Sequence, residues 1–459
     1  MTDTGLSDNG PASEMTADLD TIVSLAKRRG FVFPSAEIYG GFAASYDYGP
    51  LGVEMRRNIR ESWWRWMVQG RDDVVGIEAA IISNPRIWVA SGHVENFTDP
   101  LVECTNCQAR LRADHVEDNT CPSCGSVGKF TAPRKFNMML STIVGPVADE
   151  SGRAFLRPET AQGMFVNFDN VQTATRKRLP FGIAQIGKSF RNEFTVKQFI
   201  FRTREFEQME MEYFCHPEQS MELHTYWKKE RLRWHYSLGI RPQHLRLRDH
   251  APEELSHYSR GTSDVEIHYP WGWGELEGIA HRGDYDLTQH STHSGKKLTY
   301  FDPDTNQHIV PHVIEPAVGV DRVLLTLLFD AYAEEEVEGE KRVVLRLAPA
   351  IAPVTVAVLP LSKKIEPKAR EVFDSLRPHF RAQYDDSQSI GRRYRRQDEI
   401  GTPLCVTVDF ETENDGAVTI RERDSMQQVR VPLTGLVMAI RERLDALTPR
   451  VPSHDEISI

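Results

Sequence analysis

Apolar positions along the chain change their period several times, and each change marks an element. In residues 50–69, Met55, Ile59, Trp63, Trp66 and Met67 recur at helical spacing, with Arg56, Arg57, Asn58 and Arg60 on the other faces, which predicts an amphipathic helix. Residues 74–83 read as a strand that stops at Asn84 and Pro85, proline being unable to donate to a central ladder. Residues 181–190 and 201–214 predict two strands joined by a charged loop. From Asp321, Val323, Leu324, Leu327 and Leu328 line one side of a helix, and the charged, apolar-poor stretch 334–341 reads as a linker. Beyond Leu347 the pattern becomes strand (354–359), helix (366–376), strand (380–384), helix near Ser389, strands at 405–410 and 417–421, and a final helix at 433–447. Strands alternating with helices predict a separate α/β domain of about 110 residues. Residues 1–18, rich in Thr, Ser, Gly and acids and without a base, read as a disordered acidic leader, and 451–459 as a tail.

The chain has 459 residues, 40% apolar and 26% charged, the balance of a globular protein rather than a disordered or fibrous one. No apolar run approaches the roughly 18 residues of a membrane span, the start lacks an apolar signal core, and the end carries no lipidation motif, so a cytoplasmic protein without membrane attachment is expected. A net charge of −11 argues against a protein that coats DNA, though not against a local nucleic-acid face. Four of the six cysteines are clustered: Cys104-x2-Cys107 is followed, after thirteen residues, by Cys121-x2-Cys124. Two such knuckles, the second tightened by Pro122 and Gly125, supply four thiolates for a tetrahedral Zn²⁺. With every position filled by protein the site is expected to be structural, iron being the next metal candidate. Cys215 and Cys405 lie apart and read as packing residues.

Two further stretches carry chemistry. Phe190-Arg191-Asn192-Glu193 ends one strand, and Arg202, Phe206 and Glu210 open the next. Alternate strand residues share a face, so Phe206, Gln208 and Glu210 project together, opposite an arginine on the outgoing strand. An arginine grips phosphate through paired hydrogen bonds, an aromatic ring covers a purine, and Glu193 can accept from an exocyclic amine. In Glu315-Pro316-Ala317-Val318-Gly319-Val320-Asp321-Arg322, Gly319 permits close backbone approach and Arg322 sits at a helix start, where free N–H groups favour phosphate.

The helix–strand–proline unit, the Arg/Glu hairpin and the Gly-x-Asp-Arg helix start occur in the order of the three signature motifs of class II aminoacyl-tRNA synthetases. The phrases YDYGPLGVE, SGHVENFTDP, FLRPETAQGMFVNF, GIAQIGKSFRNE, FRTREFEQMEMEYF, LSHYSRGTSDVE, WGELEGIA and YRRQDEIGTP, spread over nearly the whole chain, resemble the bacterial, homodimeric type of glycyl-tRNA synthetases. The resemblance implies an α+β catalytic domain at 19–345 built on the class II antiparallel sheet, a zinc-ribbon-like insertion at 103–126, and a C-terminal α/β anticodon-binding domain at 346–450. It implies Arg191, Glu193 and Arg322 as catalytic groups: Arg191 on the ATP α-phosphate, Glu193 near the adenine amine, Arg322 and Arg202 near the terminal phosphates, with Phe206 stacked on adenine. The implied ATP contacts extend to Asn192, Phe201, Thr203, Arg204, Glu205, Glu275, Leu276, Gly319, Val320 and Asp321, with Glu275 also a holder of Mg²⁺. Glu159, Glu210 and Glu315 are the implied acids around the glycine ammonium. Arg112, Phe206, Glu207, Gln208, Met209, Pro316, Ala317, Val318 and Gly319 complete that site. Ala317 stands where many members carry Ser, and FTVKQFI departs from the usual phrase of a loop that reaches the tRNA acceptor end.

The implied substrates are glycine, ATP and tRNA(Gly), and the implied assembly is a homodimer, for which Trp63, Trp64 and Trp66 offer more apolar area than one helix face usually buries. Residues 341–450 carry 19 basic and 15 acidic groups, and Arg392, Arg393, Arg395 and Arg396 crowd around Tyr394, an arrangement suited to phosphates and stacked bases of an anticodon loop. Two rival functions stand beside this one: a class II synthetase for another small amino acid, and a non-catalytic nucleic-acid-binding paralogue. The presence of Arg191, Glu193 and Arg322 counts against the latter.

Overall fold

A computed structural model describes residues 15–147, 149–194, 198–256 and 259–459. Helix α1 (Leu19–Arg29) starts where the Asp18 side chain accepts from the Thr21 N–H at 2.8 Å, and ends on left-handed Gly30 with Lys27, Arg28 and Arg29 at its negative end. Met15 and Ala17 are buried in the main core, so the disorder expected through residue 18 does not hold for 15–18: two apolar side chains ahead of the cap find a groove. Residues 1–14 of the expected leader lie outside the described residues.

Helix α2 (Pro50–Trp64) continues through one wider turn at Arg65–Gln69. Met55, Ile59, Trp63 and Met67 form the anticipated buried stripe. The helix lies directly on the chain after α1: a Cβ on Gly52 would stand 1.8 Å from the Phe31 carbonyl oxygen. Trp64 and Trp66 pack against the same core, so the tryptophans serve the monomer rather than standing out as excess apolar area.

A seven-stranded sheet carries the first domain. Its strands are β1 (Val74–Gly76), β2 (Phe181–Phe190), β3 (Glu205–Cys215), β4 (Leu245–Asp249), β5 (Gly261–Tyr269), β6 (Gly272–Gly283) and β7 (His312–Gly319). They lie in the order β4-β5-β6-β7-β3-β2-β1, antiparallel except for the β1–β2 pair. Helix α3 (Ser220–Ser237) packs on β6 and β7, and the apolar helix α4 (Val320–Ala331) follows β7 without a gap. β1 stops at Gly76 rather than near residue 83. Beyond it, side chains take over the pairing: the Ala79 N–H donates to the Gln185 side chain (2.6 Å) and Arg157 donates to the Ala79 carbonyl (2.8 Å). The returning strand β3 begins at Glu205, Phe199–Phe201 forming a 3-10 turn ahead of it.

The expected linker at 334–341 is a hairpin, β8 (Tyr332–Val337) and β9 (Glu340–Leu345). Its charges are cross-strand partners: Lys341 pairs with Glu334 at 2.7 Å and Arg342 with Glu335 at 2.6 Å, so a charged sequence still makes a ladder. The second domain has a five-stranded sheet of β10 (Val356–Pro360), β11 (Ala382–Tyr384), β12 (Leu404–Val408), β13 (Ala417–Glu422) and β14 (Gln428–Pro432), in the order β11-β10-β12-β13-β14, with helices α5 (Glu366–Leu376), α6 (Ile390–Glu399) and α7 (Leu436–Ala446). Its first three strands are parallel and the rest antiparallel. The final residues do not trail: Ile457 is buried in the core of the first domain, and His454 stacks on Tyr226 of α3 with ring centroids 4.9 Å apart.

Candidate active site

A cavity of about 400 Å³ opens on one face of the seven-stranded sheet, lined from β3, β6, β7 and the segments that cross their ends. Strand alternation decides which side chains reach it. Phe206, Gln208 and Glu210 do; Glu207 and Met209 turn to the other face. There Glu207 pairs with Arg56 (2.9 Å) and Arg60 (3.1 Å) of α2, and Met209 is buried in the core. Asp321 ties the three motif elements together. It accepts from the Glu207 N–H at 3.0 Å and from the Tyr48 hydroxyl, and it faces Arg56 at 3.4 Å.

One end of the cavity is cationic. Arg191 donates through Nε to the Pro158 carbonyl (3.1 Å), and its guanidinium lies against the rings of Phe97 and Phe206 at 5.4 and 5.3 Å. That anchors the side chain by one nitrogen and leaves its terminal pair facing the cavity. Arg322 is held by the carbonyls of Phe201 (3.2 Å) and Glu275 (2.9 Å), and lies 4.6 Å over the Phe201 ring. Arg202 approaches Glu193 only to 3.8 Å, and Glu193, buried, is raised by desolvation against the pull of Arg202 and Arg191. Gly319 lines this end, with nothing nearer than 3.9 Å to where its Cβ would be, so the space there is open to a ligand.

The other end is acidic and buried. Glu159 meets His93 Nε2 at 3.2 Å and accepts from Gln162 at 3.0 Å; burial alone would raise it, but His93, Arg282 and Gln162 together hold it well below the usual carboxylate range. Glu210 accepts from the Thr160 N–H (3.1 Å) and hydroxyl, yet burial and the neighbouring Glu315 push it up to about 8. Arg282 donates to Glu315 at 2.5 Å and grips Asp286 at 2.8 and 3.0 Å. Such a cage suits a small ammonium group. Ala317, across from Glu210 in the β3–β7 ladder, brings a methyl to its wall.

Of the residues expected from sequence, the cavity brings together Glu159, Arg191, Glu193, Phe201, Arg202, Thr203, Phe206, Gln208, Glu210, Glu275, Leu276, Glu315, Ala317, Val318, Gly319, Asp321 and Arg322. It does not include Asn192, Arg204, Glu205, Glu207, Met209, Pro316, Val320 or Arg112. Arg204 holds the Glu193 and Ala43 carbonyls (both 3.0 Å), Glu205 pairs with Lys188 (2.7 Å), and Val320 is core. Arg112 pairs with Asp99 (3.1 Å) and Asp114 (2.7 Å), and its charge only partly opposes the desolvation that raises Glu193. Sequence reading missed Arg282, Asp264 and Glu212. For Arg282 a signal existed, an Asp four residues on, at 286; for Glu212 it was the alternation already used for Glu210. Thr195, Val196 and Lys197, of the loop expected to reach an acceptor end, lie outside the described residues.

Two carboxylates at the cavity, Glu275 and Asp264, interact electrostatically, which suits a Mg²⁺ ion held by one or two carboxylates and by substrate phosphates. In the cysteine island, Sγ of Cys104 lies 3.7 Å from that of Cys124, and Sγ of Cys107 3.7 Å from that of Cys121. A tetrahedron with metal–sulfur bonds of about 2.3 Å has edges close to that length, so the four thiols fit Zn²⁺. Both knuckles turn alike: Gln108 and Gly125 are left-handed (φ 59° and 71°) and return N–H bonds of 2.8 Å to Cys104 and Cys121.

The arginine cluster of α6 is different from its sequence reading. Arg393 is buried and holds the carbonyls of Pro360, Ser387 and Gln388, while Arg396 pairs with Asp385 at 2.7 Å. Tyr394 donates or accepts at 2.5 Å with Thr407 and packs beneath Arg421. Helix periodicity turns these three inward, leaving Arg392 exposed and Arg395 half-buried without a partner among the described residues.

Two family models match: the class II tRNA synthetase core domain (G, H, P, S and T) over residues 146–331, and the anticodon binding domain over residues 355–443. Among curated relatives, a glycine–tRNA ligase of Thermobifida fusca is 55% identical over 93% of this chain and 98% of its own. That of Caldanaerobacter subterraneus is 54% identical over 93% and 98%, and that of Streptomyces coelicolor 53% over 94% and 99%. With a cleft cationic at one end and acidic at the other, on a class II sheet, and with more than half of its residues shared over nearly its full length, the chain belongs to the glycine–tRNA ligase family of class II aminoacyl-tRNA synthetases.

Proposed function

We propose that this protein activates glycine with ATP and transfers it to the 3′ end of tRNA(Gly). A glycine carboxylate oxygen attacks the α-phosphorus, the bond to the bridging oxygen of the β-phosphate breaks, and pyrophosphate leaves. A terminal ribose hydroxyl then attacks the glycyl carbonyl and AMP departs. The observation that carries this reading is one cavity that brings Arg191, Arg202 and Arg322 towards one end and the buried acids Glu159, Glu210 and Glu315 to the other. Arg191, anchored by one nitrogen, offers its other two to the α-phosphate as charge grows there, with Arg202 and Arg322 beside the departing pyrophosphate. Phe206 stacks on adenine and Glu193 accepts from its amine. Glu275 and Asp264 would hold a Mg²⁺ ion, which would supply Lewis-acid stabilisation of the phosphates.

Glycine has no side chain to read, so selection rests on its ammonium and on the absence of room at Cα. Glu159, Glu210 and Glu315 grip the ammonium through charge-assisted hydrogen bonds, and the wall that carries Ala317 excludes a larger amino acid by overlap, which needs no editing site. No side-chain nucleophile takes part; positioning and electrostatics supply the rate.

The same reading gives the cysteine island a structural Zn²⁺, the boundaries 19–345 and 346–450 to the catalytic and anticodon-binding domains, a second copy of the chain as partner, and the cytoplasm as the place of work. No helix among the described residues is long and apolar enough to cross a membrane. Glycine-dependent ATP–pyrophosphate exchange followed by charging of purified tRNA tests the function. Exchange with serine or threonine but not glycine, or none at all, overturns it.

A further inference from the structure

Glu212 lies two residues beyond Glu210 on β3, on the same face, and is fully buried. Its carboxyl oxygens stand within 4.8 Å of those of Glu210 and Glu315, and neither has a hydrogen-bond donor among the described residues. Every other acid of the cage is provided for. Glu159 has His93 and Gln162, Glu210 has Thr160, and Arg282 serves both Glu315 and Asp286. Glu212 instead faces Glu315, itself an acceptor, so a hydrogen bond between the two exists only when one of them carries a proton.

Charge makes the same demand. Glu159, Glu210, Glu212, Glu315 and Asp286 converge from four segments on the guanidinium of Arg282 and the ring of His93; the Arg157 guanidinium acts on Glu210, and the His290 ring on Asp286 and, through a hydrogen bond, on Gln162. Five buried carboxylates against the guanidinium of Arg282, with Arg157 acting on Glu210, cannot all be ionised in a medium of low dielectric. The proton belongs on the acid that, among the described residues, has no hydrogen-bond donor and no ion pair, Arg282 acting on it only at a distance. Burial, then Glu315, hold the Glu212 carboxyl far above the usual range, the same direction as at Glu210 and Glu315.

We propose that Glu212 is the proton-bearing acid of the cage: it keeps one proton in the free site, donates it to Glu315 as a carboxyl–carboxylate hydrogen bond, and loses it to solvent when a primary ammonium docks between Glu159, Glu210 and Glu315. The proposal rests on the reading of that cage as the amino-acid ammonium site. Glu212 acts through Glu315 and is a positioning residue. Without a ligand the shared proton keeps Glu315 aimed and prevents the acids from repelling one another; with the ligand the incoming positive charge replaces it. Amino-acid binding is thereby coupled to proton release.

The test is calorimetric titration of glycine into the full chain near neutral pH, in two buffers of different protonation enthalpy. The wild type is expected to release about one proton per glycine, and Glu212→Gln, which keeps the shape and a donor but has no proton to lose, far less. Release of one proton makes the wild-type glycine KM fall about tenfold per pH unit as pH rises below the acid's pKa, and the profile of Glu212→Gln is flatter. A purely structural role would raise KM equally at every pH. An unchanged proton count in Glu212→Gln, or none released by the wild type, overturns the proposal while leaving glycine binding intact. Absence of any glycine binding in the wild type overturns the ammonium cage and the proposal with it. If the variant does not fold, difference infrared spectra of the wild type decide: the band of a protonated carboxyl disappears on adding glycine, and its persistence contradicts the assignment.

Discussion

Two groups of arginines in this chain look alike in sequence and differ in structure. Arg191 is fixed in the cleft by one carbonyl and Arg202 only by a distant carboxylate, so both keep free donors, while Arg322 is held by two carbonyls and by Glu275 at 3.1 Å; all three line the cavity. On α6, Arg393 and Arg396 face inward and have their donors satisfied by carbonyls and by Asp385. A cluster of cations marks a ligand site only where the fold leaves donors unsatisfied. The pattern at Phe206, Gln208 and Glu210 lay on a strand, whose two-residue period sorts side chains cleanly. The run at 392–396 lay on a helix, where neighbours in sequence point in different directions.

The comparison can be broken most sharply at Arg191. Arg191→Ala is expected to lower ATP–pyrophosphate exchange by about 10²–10³-fold or more, with the melting temperature little changed; near-normal exchange would remove its role. Glu159→Ala is expected to raise the glycine KM roughly 10- to 100-fold, the worth of a charge-assisted hydrogen bond, with a smaller effect on the KM for ATP. Arg393→Ala, on the other side of the comparison, should cost about 2–4 kcal/mol of stability by leaving buried carbonyls unsatisfied, read by denaturant melts, without a specific effect on exchange. The smallest effect is expected for Arg392→Ala with Arg395→Ala: a several-fold, salt-sensitive increase in the KM for tRNA and no change in stability. If Arg393→Ala and the double variant exchanged these phenotypes, the inward and outward assignments would be reversed.

The acidic end adds a pH dependence. The Glu210 carboxyl, near 4.5 when exposed, is pushed up to about 8 in the fold, so its contribution to stability is complete below the unfolded value and is lost as pH rises through the folded one. Thermal melts of the free protein should therefore decline from mildly acidic to mildly alkaline pH, and Glu210→Gln should flatten the decline.

Much of the fold was legible because its elements announce themselves locally. The stripe Met55, Ile59, Trp63 and Met67 gave α2, and the bounds of β2 emerged intact from Phe181 to Phe190. The errors came where tertiary partners replace local signals. Glu335 stands opposite Arg342 and Glu334 pairs diagonally with Lys341, so a charged run forms a ladder; regular pairing of β1 ends after Ile77, where Gln185 and Arg157 take the backbone groups of Ala79. In the site, alternation along β3 identified Phe206, Gln208 and Glu210. It equally excluded Glu207 and Met209, which the family resemblance had included as one run. Arg282 and Glu212 stayed hidden because a buried charge looks in sequence like any other.

The most direct test of the account is amino-acid-dependent ATP–pyrophosphate exchange by the purified chain, with glycine, alanine and serine compared. Exchange supported by glycine, with alanine and serine inactive or far weaker, is the expected result. Exchange with alanine or serine at rates equal to glycine would contradict a cage closed to a methyl group, and with it the central claim.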